Sequence, residues 1–254
     1  MILKGKKVLI MGLRNKWSIA WGAAQAAYEQ GAEVIFAYQQ VEDTSKLEKL
    51  VSEIPNAAMY PCNVSEDSEI EKLFNTIEKK HGKIDGILHS IAHANTEDLA
   101  NSFIVTPREG FSHANDVSAY SFVAVCRYAK AVLNPGASIV SLTYYGSTKV
   151  MKNYNVMGVA KAALECSVRY LANDLGPNNI RVNAVSAGPI KTLSAKGIKD
   201  FSSVLDIVEE KSPLKRNVTA HEVGSVIAFL FSDMSSSITG QIIYADNGVS
   251  IMGI

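Results

Sequence analysis

KVLIMGLRNKWSIAWGAAQAAYEQGAEVIFAY, residues 7–38, is the stretch on which the fold turns. Residues 7–11 form a short apolar run, 18–31 carry helical spacing up to Gly31, and 33–38 are apolar again. Strands without polar alternation are covered on both faces, and parallel neighbours need a crossover helix. The stretch therefore predicts a βαβ unit.

The same grammar continues along the chain. Helices are expected over 44–54, with Thr44 or Asp43 near the cap, and over 65–82, with Ser65 as N-cap. Further helices fall at about 110–133, 153–175 and 219–232, and strands at 57–61, 84–90, 137–143, 180–186 and 241–246. This alternation predicts an α/β, Rossmann-type doubly wound parallel sheet of about seven strands, helices on both faces. No composition break divides residues 1–254, so one domain is expected. The irregular stretch 187–217 suits short helices forming a small substrate-binding lid, about 191–217.

Composition narrows the function classes. The chain has 254 residues, 47% hydrophobic, with 25 Lys+Arg against 25 Asp+Glu. Zero net charge offers no basic field for nucleic acid and is compatible with an oligomer. Cys62, Cys126 and Cys166 form no CxxC, which suggests reduced thiols rather than a disulfide scaffold. Neither a signal-peptide core nor a transmembrane run is apparent, so a cytoplasmic protein with no membrane segment is expected. The five histidines are scattered, and no metal set is expected.

Ligands of open parallel sheets bind beyond the carboxyl ends of the strands. After the first strand, Gly12 permits a tight turn and Ser18 opens the helix, a place for phosphate. A plain strand–helix turn fits the same residues, and Gly22 is expected to bring the helix close to the sheet. The second strand ends in Gln39–Gln40, lacking both the carboxylate that repels a 2′-phosphate and an arginine that binds one. The nearest cation in sequence is Lys46. On charge, NADH is favoured and NADPH stays open. Asn63 ends the third strand, where its amide could meet adenine. Small residues follow the fourth strand in HSIAHAN, residues 89–95.

Tyr154 and Lys161 lie seven residues apart, nearly two helical turns, so they share a face about 10 Å apart. Lysine can hold a nicotinamide ribose, and tyrosine can donate to a developing oxyanion. Tyr144, just past the fifth strand, lies at the same edge.

These residues, with Gly12–Ser18–Ile19–Ala20, His89–Ser90–Ile91, Tyr154–Lys161 and SAGPIKTLSAKGIKDF (186–201), carry a resemblance over essentially the whole chain. The sequence resembles the bacterial NAD(P)H-dependent enoyl-[acyl-carrier-protein] reductases of the short-chain dehydrogenase/reductase superfamily. The resemblance implies reduction of a trans-2-enoyl thioester on acyl carrier protein, the last step of each elongation cycle in type II fatty acid synthesis. It implies Tyr154 on the thioester carbonyl, Lys161 on the nicotinamide ribose, and Tyr144 orienting the acyl chain or aiding proton delivery. The cofactor cradle would comprise Gly12, Ser18, Ile19, Gln39, Asn63, Val64, Ser90, Ile91, Ala92, Lys161, Ile190 and Thr192. Ala94, Tyr144, Tyr154, Met157, Ala195, Ile198 and Phe201 would line the acyl site. Lys196, Lys199 and Lys215 would meet the carrier protein or simply be solvated. A homotetramer is implied, built through helices carrying Phe122, Val125, Val132, Leu164 and Leu171. Two departures stand out: Asn63 where the family often has aspartate, and His93 where phenylalanine is common.

The alternatives are a ketoacyl or alcohol dehydrogenase, with Ser141 and Asn115 as catalytic mimics, or a non-catalytic NAD-binding protein. A ketoacyl site would give Tyr144 no role, and intact Tyr154 and Lys161 argue against a dead fold.

Overall fold

The computed structural model describes residues 1–192 and 201–253. Seven strands form one parallel sheet: β1 (Lys7–Met11), β2 (Glu33–Tyr38), β3 (Ala58–Pro61), β4 (Ile84–His89), β5 (Leu133–Thr143), β6 (Arg181–Ala187) and β7 (Ile242–Ala245). Their order is β3-β2-β1-β4-β5-β6-β7, so the chain direction across the sheet reverses between β1 and β4. That reversal opens a crevice at the carboxyl edge.

Alternate residues of the strands feed two cores. Val8 and Ile10 of β1, with Val34 and Phe36 of β2, pack under α1 (Ile19–Glu29) and under Val223, Ile227 and Phe231 of the helix at Ala220–Phe231. Leu9, Met11 and Ile35 point the other way, toward the helices at Asp67–His81, Ser121–Ala129 and Asn155–Leu175. Period-two alternation sends neighbouring side chains to opposite faces, and here both faces are dry. The apolar runs of the sequence have this cause.

In chain order the remaining α-helices among the described residues are α2 (Ser45–Val51), α3 (Asp67–His81), α4 (Thr96–Ala100), α5 (Arg108–Asn115), α6 (Ser121–Ala129), α7 (Asn155–Leu175), α8 (Phe201–Lys211) and α9 (Ala220–Phe231). Four local expectations are corrected. Glu66, not Ser65, is the N-cap of α3, and its side chain makes no capping bond. The helix expected over 110–133 is interrupted: Asp116–Tyr120 forms a wider π turn between α5 and α6, and Lys130–Val132 tightens to 3-10. β5 starts at Leu133, with an irregular register between Ile84 and Gly86 of β4. Gly22 faces α9 rather than the sheet; a Cβ there would lie 2.4 Å from the Ala220 backbone. Of the expected lid, 193–200 lie outside the described residues, and α8 follows them.

On the helices expected to build the oligomer, Phe122, Val125, Val132 and Leu164 are buried in the chain's own core. On those helices the exposed large side chains include Val159 and Tyr170. Among the described residues no helix is long and apolar enough to cross a membrane.

Candidate active site

Because the strands are parallel, the residues just beyond them gather at one edge: Gly12, Gln39, Asn63–Val64, Ser90–Ala92, Tyr144 and Ile190. Gly12 has φ +89°, and its amide donates to the Ala37 carbonyl at 2.9 Å. A Cβ on Gly12 would lie 2.1 Å from the Ser90 carbonyl oxygen, so the β1 and β4 loops pass backbone to backbone. Only glycine meets both demands.

Ser18 caps α1: its hydroxyl accepts from the Trp21 amide at 3.2 Å and donates to the Asn15 carbonyl at 2.7 Å. The first-turn amides of Ile19 and Ala20 have no intrahelical acceptor, and no acidic side chain lies in that turn. Such an end suits a pyrophosphate, so these residues fit the cofactor. Asn63 Oδ1 accepts from the Ser65 amide at 3.2 Å, so the amide offered to adenine also shapes its own turn. Ile190 is half-buried and its carbonyl accepts from the Thr192 amide at 2.7 Å.

Tyr154 is the N-cap residue of α7, flanked by Asn153 at φ 62° and Asn155 at φ 36°. Asparagine tolerates this left-handed geometry better than most residues. The Asn155 amide donates to the Leu99 carbonyl at 2.9 Å and the Asn101 carbonyl at 2.6 Å, tying α4 to α7. Tyr144 stands edge-on to Tyr154, ring centroids 5.0 Å apart, and edge-on to Tyr145 at 4.6 Å. Both expected tyrosines therefore meet. Burial holds the Tyr154 hydroxyl well above its ordinary pKa, with Glu165 adding to the effect. Tyr144 is pushed up by burial and then by Tyr145. Each is a proton donor at neutral pH, not a base.

Lys161 is buried, its Nζ donating to the Leu142 carbonyl at 2.8 Å. That bond uses one of three donors. Burial pulls its pKa down to about 8, and the Glu165 carboxylate opposes the fall. Glu165, one turn further along α7 and also buried, went unread in the sequence. Its Oε1 accepts from Thr143 Oγ1 and Ser147 Oγ, both at 2.6 Å. These hydroxyls bracket Tyr144, so one carboxylate anchors the tyrosine's turn and faces the lysine. An acid four residues after Lys161 was the available signal.

His89 is fully buried at the end of β4, between Ser141 Oγ at 3.1 Å and Ser121 Oγ at 2.9 Å. Burial, helped by Lys161, lowers its pKa to about 3, so it stays neutral. Ser118 of the π turn accepts from the His93 amide at 2.9 Å and donates to its carbonyl at 3.0 Å, pinning the loop after β4. His93 itself is exposed and pairs with His113, ring nitrogens 2.8 Å apart.

Beside Tyr154, Leu99, Ala114, Val156, Met157 and Ala160 form an apolar cluster that Ala92 and Ala94 also join. Ala94, Met157 and Tyr154 thus come together as expected. Phe201 opens α8 and is half-buried. Ala195 and Ile198 lie outside the described residues, as do Lys196 and Lys199. One expectation about the cofactor needs revising. The sequence placed no arginine near Gln39, but Arg14 Nη1 donates to Gln39 Oε1 at 3.0 Å.

Known proteins match this arrangement. A family model described as enoyl-(acyl carrier protein) reductase matches residues 12–250. The NADH-named enoyl-[acyl-carrier-protein] reductase of Bacillus subtilis is 50% identical over 255 residues, covering 98% of this chain and 97% of that protein. An NADPH-named counterpart from Staphylococcus aureus is 50% identical over 248 residues, covering 97% of each. The solved Bacillus cereus enoyl-acyl carrier protein reductase, with NADP+ and indole naphthyridinone, superposes with TM-score 0.97 at 47% identity, covering 100% of this chain and 99% of that one. With a tyrosine pair and a buried lysine beside a dinucleotide crevice, the chain belongs to the enoyl-[acyl-carrier-protein] reductases of the short-chain dehydrogenase/reductase superfamily.

Proposed function

We propose that this enoyl-[acyl-carrier-protein] reductase works through Tyr154, Tyr144 and Lys161 and prefers NADH to NADPH. The meeting of Tyr154 with Tyr144 beside the apolar 92–94 and 156–160 wall carries this reading. When bound, the nicotinamide supplies the hydride that enters C3 of the enoyl thioester. Tyr154, kept protonated by burial, donates to the thioester oxygen and stabilises the enolate that forms. The enolate then takes a proton from solvent at C2, so that one hydride and one proton have been added across the double bond. Tyr144 confines the acyl chain from the other side, and Lys161 holds the ribose. Preference for NADH rests on the Gln39 amide, which suits a ribose hydroxyl and carries no charge for a phosphate.

The ketoacyl reading loses support because Ser141 is turned into the core on His89. Asn115 likewise bonds its own helix, Nδ2 donating to the Phe111 carbonyl at 2.8 Å. We place the protein in the cytoplasm as a homotetramer, one domain with a lid over about 191–217. Val159 and Tyr170 support the oligomer as exposed apolar positions on α7. A sedimentation experiment showing a monomer would refute it.

Loss of reduced-nicotinamide absorbance with crotonyl thioester tests the chemistry. Turnover should be faster with NADH than with NADPH, and Tyr154→Phe should lower kcat by roughly a hundredfold. Acetoacetyl thioester turned over in place of crotonyl would assign the ketoacyl reaction instead.

A further inference from the structure

The carboxyl end of β2 is where a dinucleotide fold tells a ribose 2′-hydroxyl from a 2′-phosphate. Gln39 and Gln40 lie there, both exposed, and neither carries charge. The chain brings a cation to this corner from elsewhere. The hydrogen bond from the Gly12 amide to the Ala37 carbonyl fastens the β1 turn to β2, which sets Arg14 beside Gln39. Arg14 is exposed, and among the described residues it has no carboxylate partner; its guanidinium is held only by the neutral Gln39 amide. His93, in the loop after β4, is held below its ordinary pKa by burial and by His113, and the Arg14 charge adds to the effect.

The surrounding charges sharpen the point. Glu42 and Asp43 lie on the loop after Gln40, and Lys46 lies in the first turn of α2. Asp43 is turned back on its own loop, Oδ1 accepting from the Ser45 amide at 2.9 Å. Overall likeness does not decide cofactor choice, since an NADH-named and an NADPH-named relative are both 50% identical to the chain.

We infer that Arg14 is the residue that sets how well this reductase accepts a 2′-phosphorylated dinucleotide, making NADPH a working second cofactor. With NADH bound, Arg14 stays on Gln39 and orients the amide toward the ribose hydroxyls. With NADPH bound, the guanidinium leaves this weak neutral acceptor for the phosphate, a charged partner it can grip with two parallel N–H bonds. The exchange needs only side-chain rotation at an exposed site. The inference rests on the cofactor reading above but not on enoyl turnover.

The test is therefore a binding measurement. The purified full chain is titrated with NADH, NADPH, 2′,5′-ADP and 5′-ADP by calorimetry, alongside Arg14→Ala, Arg14→Lys and Lys46→Ala. Arg14→Ala should weaken NADPH and 2′,5′-ADP about tenfold more than NADH and 5′-ADP. Arg14→Lys should recover part of the loss, and added salt should erode the NADPH affinity of the unaltered chain first. Equal losses for phosphorylated and unphosphorylated nucleotides would overturn the inference, since Arg14 would then serve the pyrophosphate. So would failure of the unaltered chain to bind NADPH, or a selective loss in Lys46→Ala with none in Arg14→Ala. A chain showing the Arg14-dependent difference but no turnover of crotonyl thioester would sustain this inference while sinking the reductase chemistry.

Discussion

Lys161→Ala should lower enoyl turnover by roughly a thousandfold, since it removes the proposed ribose ligand and the buried cation on the helix that Tyr154 caps. Weaker NADH binding should accompany the loss, separating this variant from Tyr154→Phe, which should bind NADH normally. The lysine also sets a pH limit. With its pKa at about 8, its charge is lost above that value, so kcat/KM should fall on the alkaline side. Glu165 opposes the depression, so Glu165→Gln should move this alkaline limb to lower pH. An unmoved limb would show that another group titrates. The stability effect has the opposite sign to a salt-bridged surface lysine. The folded pKa lies below the ordinary 10.5, so the unfolded chain binds more protons between about 8 and 10.5, and stability contributed by this residue rises through that window.

Gly22→Ala should destabilise the fold by about 3 kcal/mol, the upper part of the usual overpacking range. The added Cβ would sit 2.4 Å from the Ala220 carbonyl carbon and 2.5 Å from its oxygen. Across the contact, a Cβ on Gly224 would sit 2.4 Å from the Gly22 carbonyl oxygen. Both obstacles are backbone, so no rotamer change relieves them, and α1 and α9 must separate. For a chain of this size the melting temperature should drop by about 10 °C. Because the amino end of α1 is the proposed pyrophosphate site, NADH affinity should fall too. A melting temperature within about 1 °C of the unaltered chain would show that the helices yield without strain.

The legible parts of the sequence share a physical character. β1 and β2 stood out because strands covered on both faces favour unbroken apolar runs. Tyr154 and Lys161 were legible because helix geometry fixes how residues seven apart relate. Less was visible where a partner distant in sequence decides the outcome. The π turn at Asp116–Tyr120 has ordinary helical composition, yet its Ser118, and Ser121 just after it at the start of α6, serve His93 and His89 across the site. Gly22 looked like a helix–sheet glycine because nothing local announces α9, about two hundred residues away.

The sequence alone showed the strand–helix alternation through local periodicity, and it singled out Tyr144, Tyr154 and Lys161 through the seven-residue spacing of the last two together with the family resemblance. The tertiary structure alone decided that Glu165 anchors the Tyr144 turn, that Ser141 faces His89, and that Arg14 stands beside Gln39. The reason is geometric. A parallel sheet gathers the ends of strands far apart in the chain onto one edge, and no periodicity records which side chains then become neighbours.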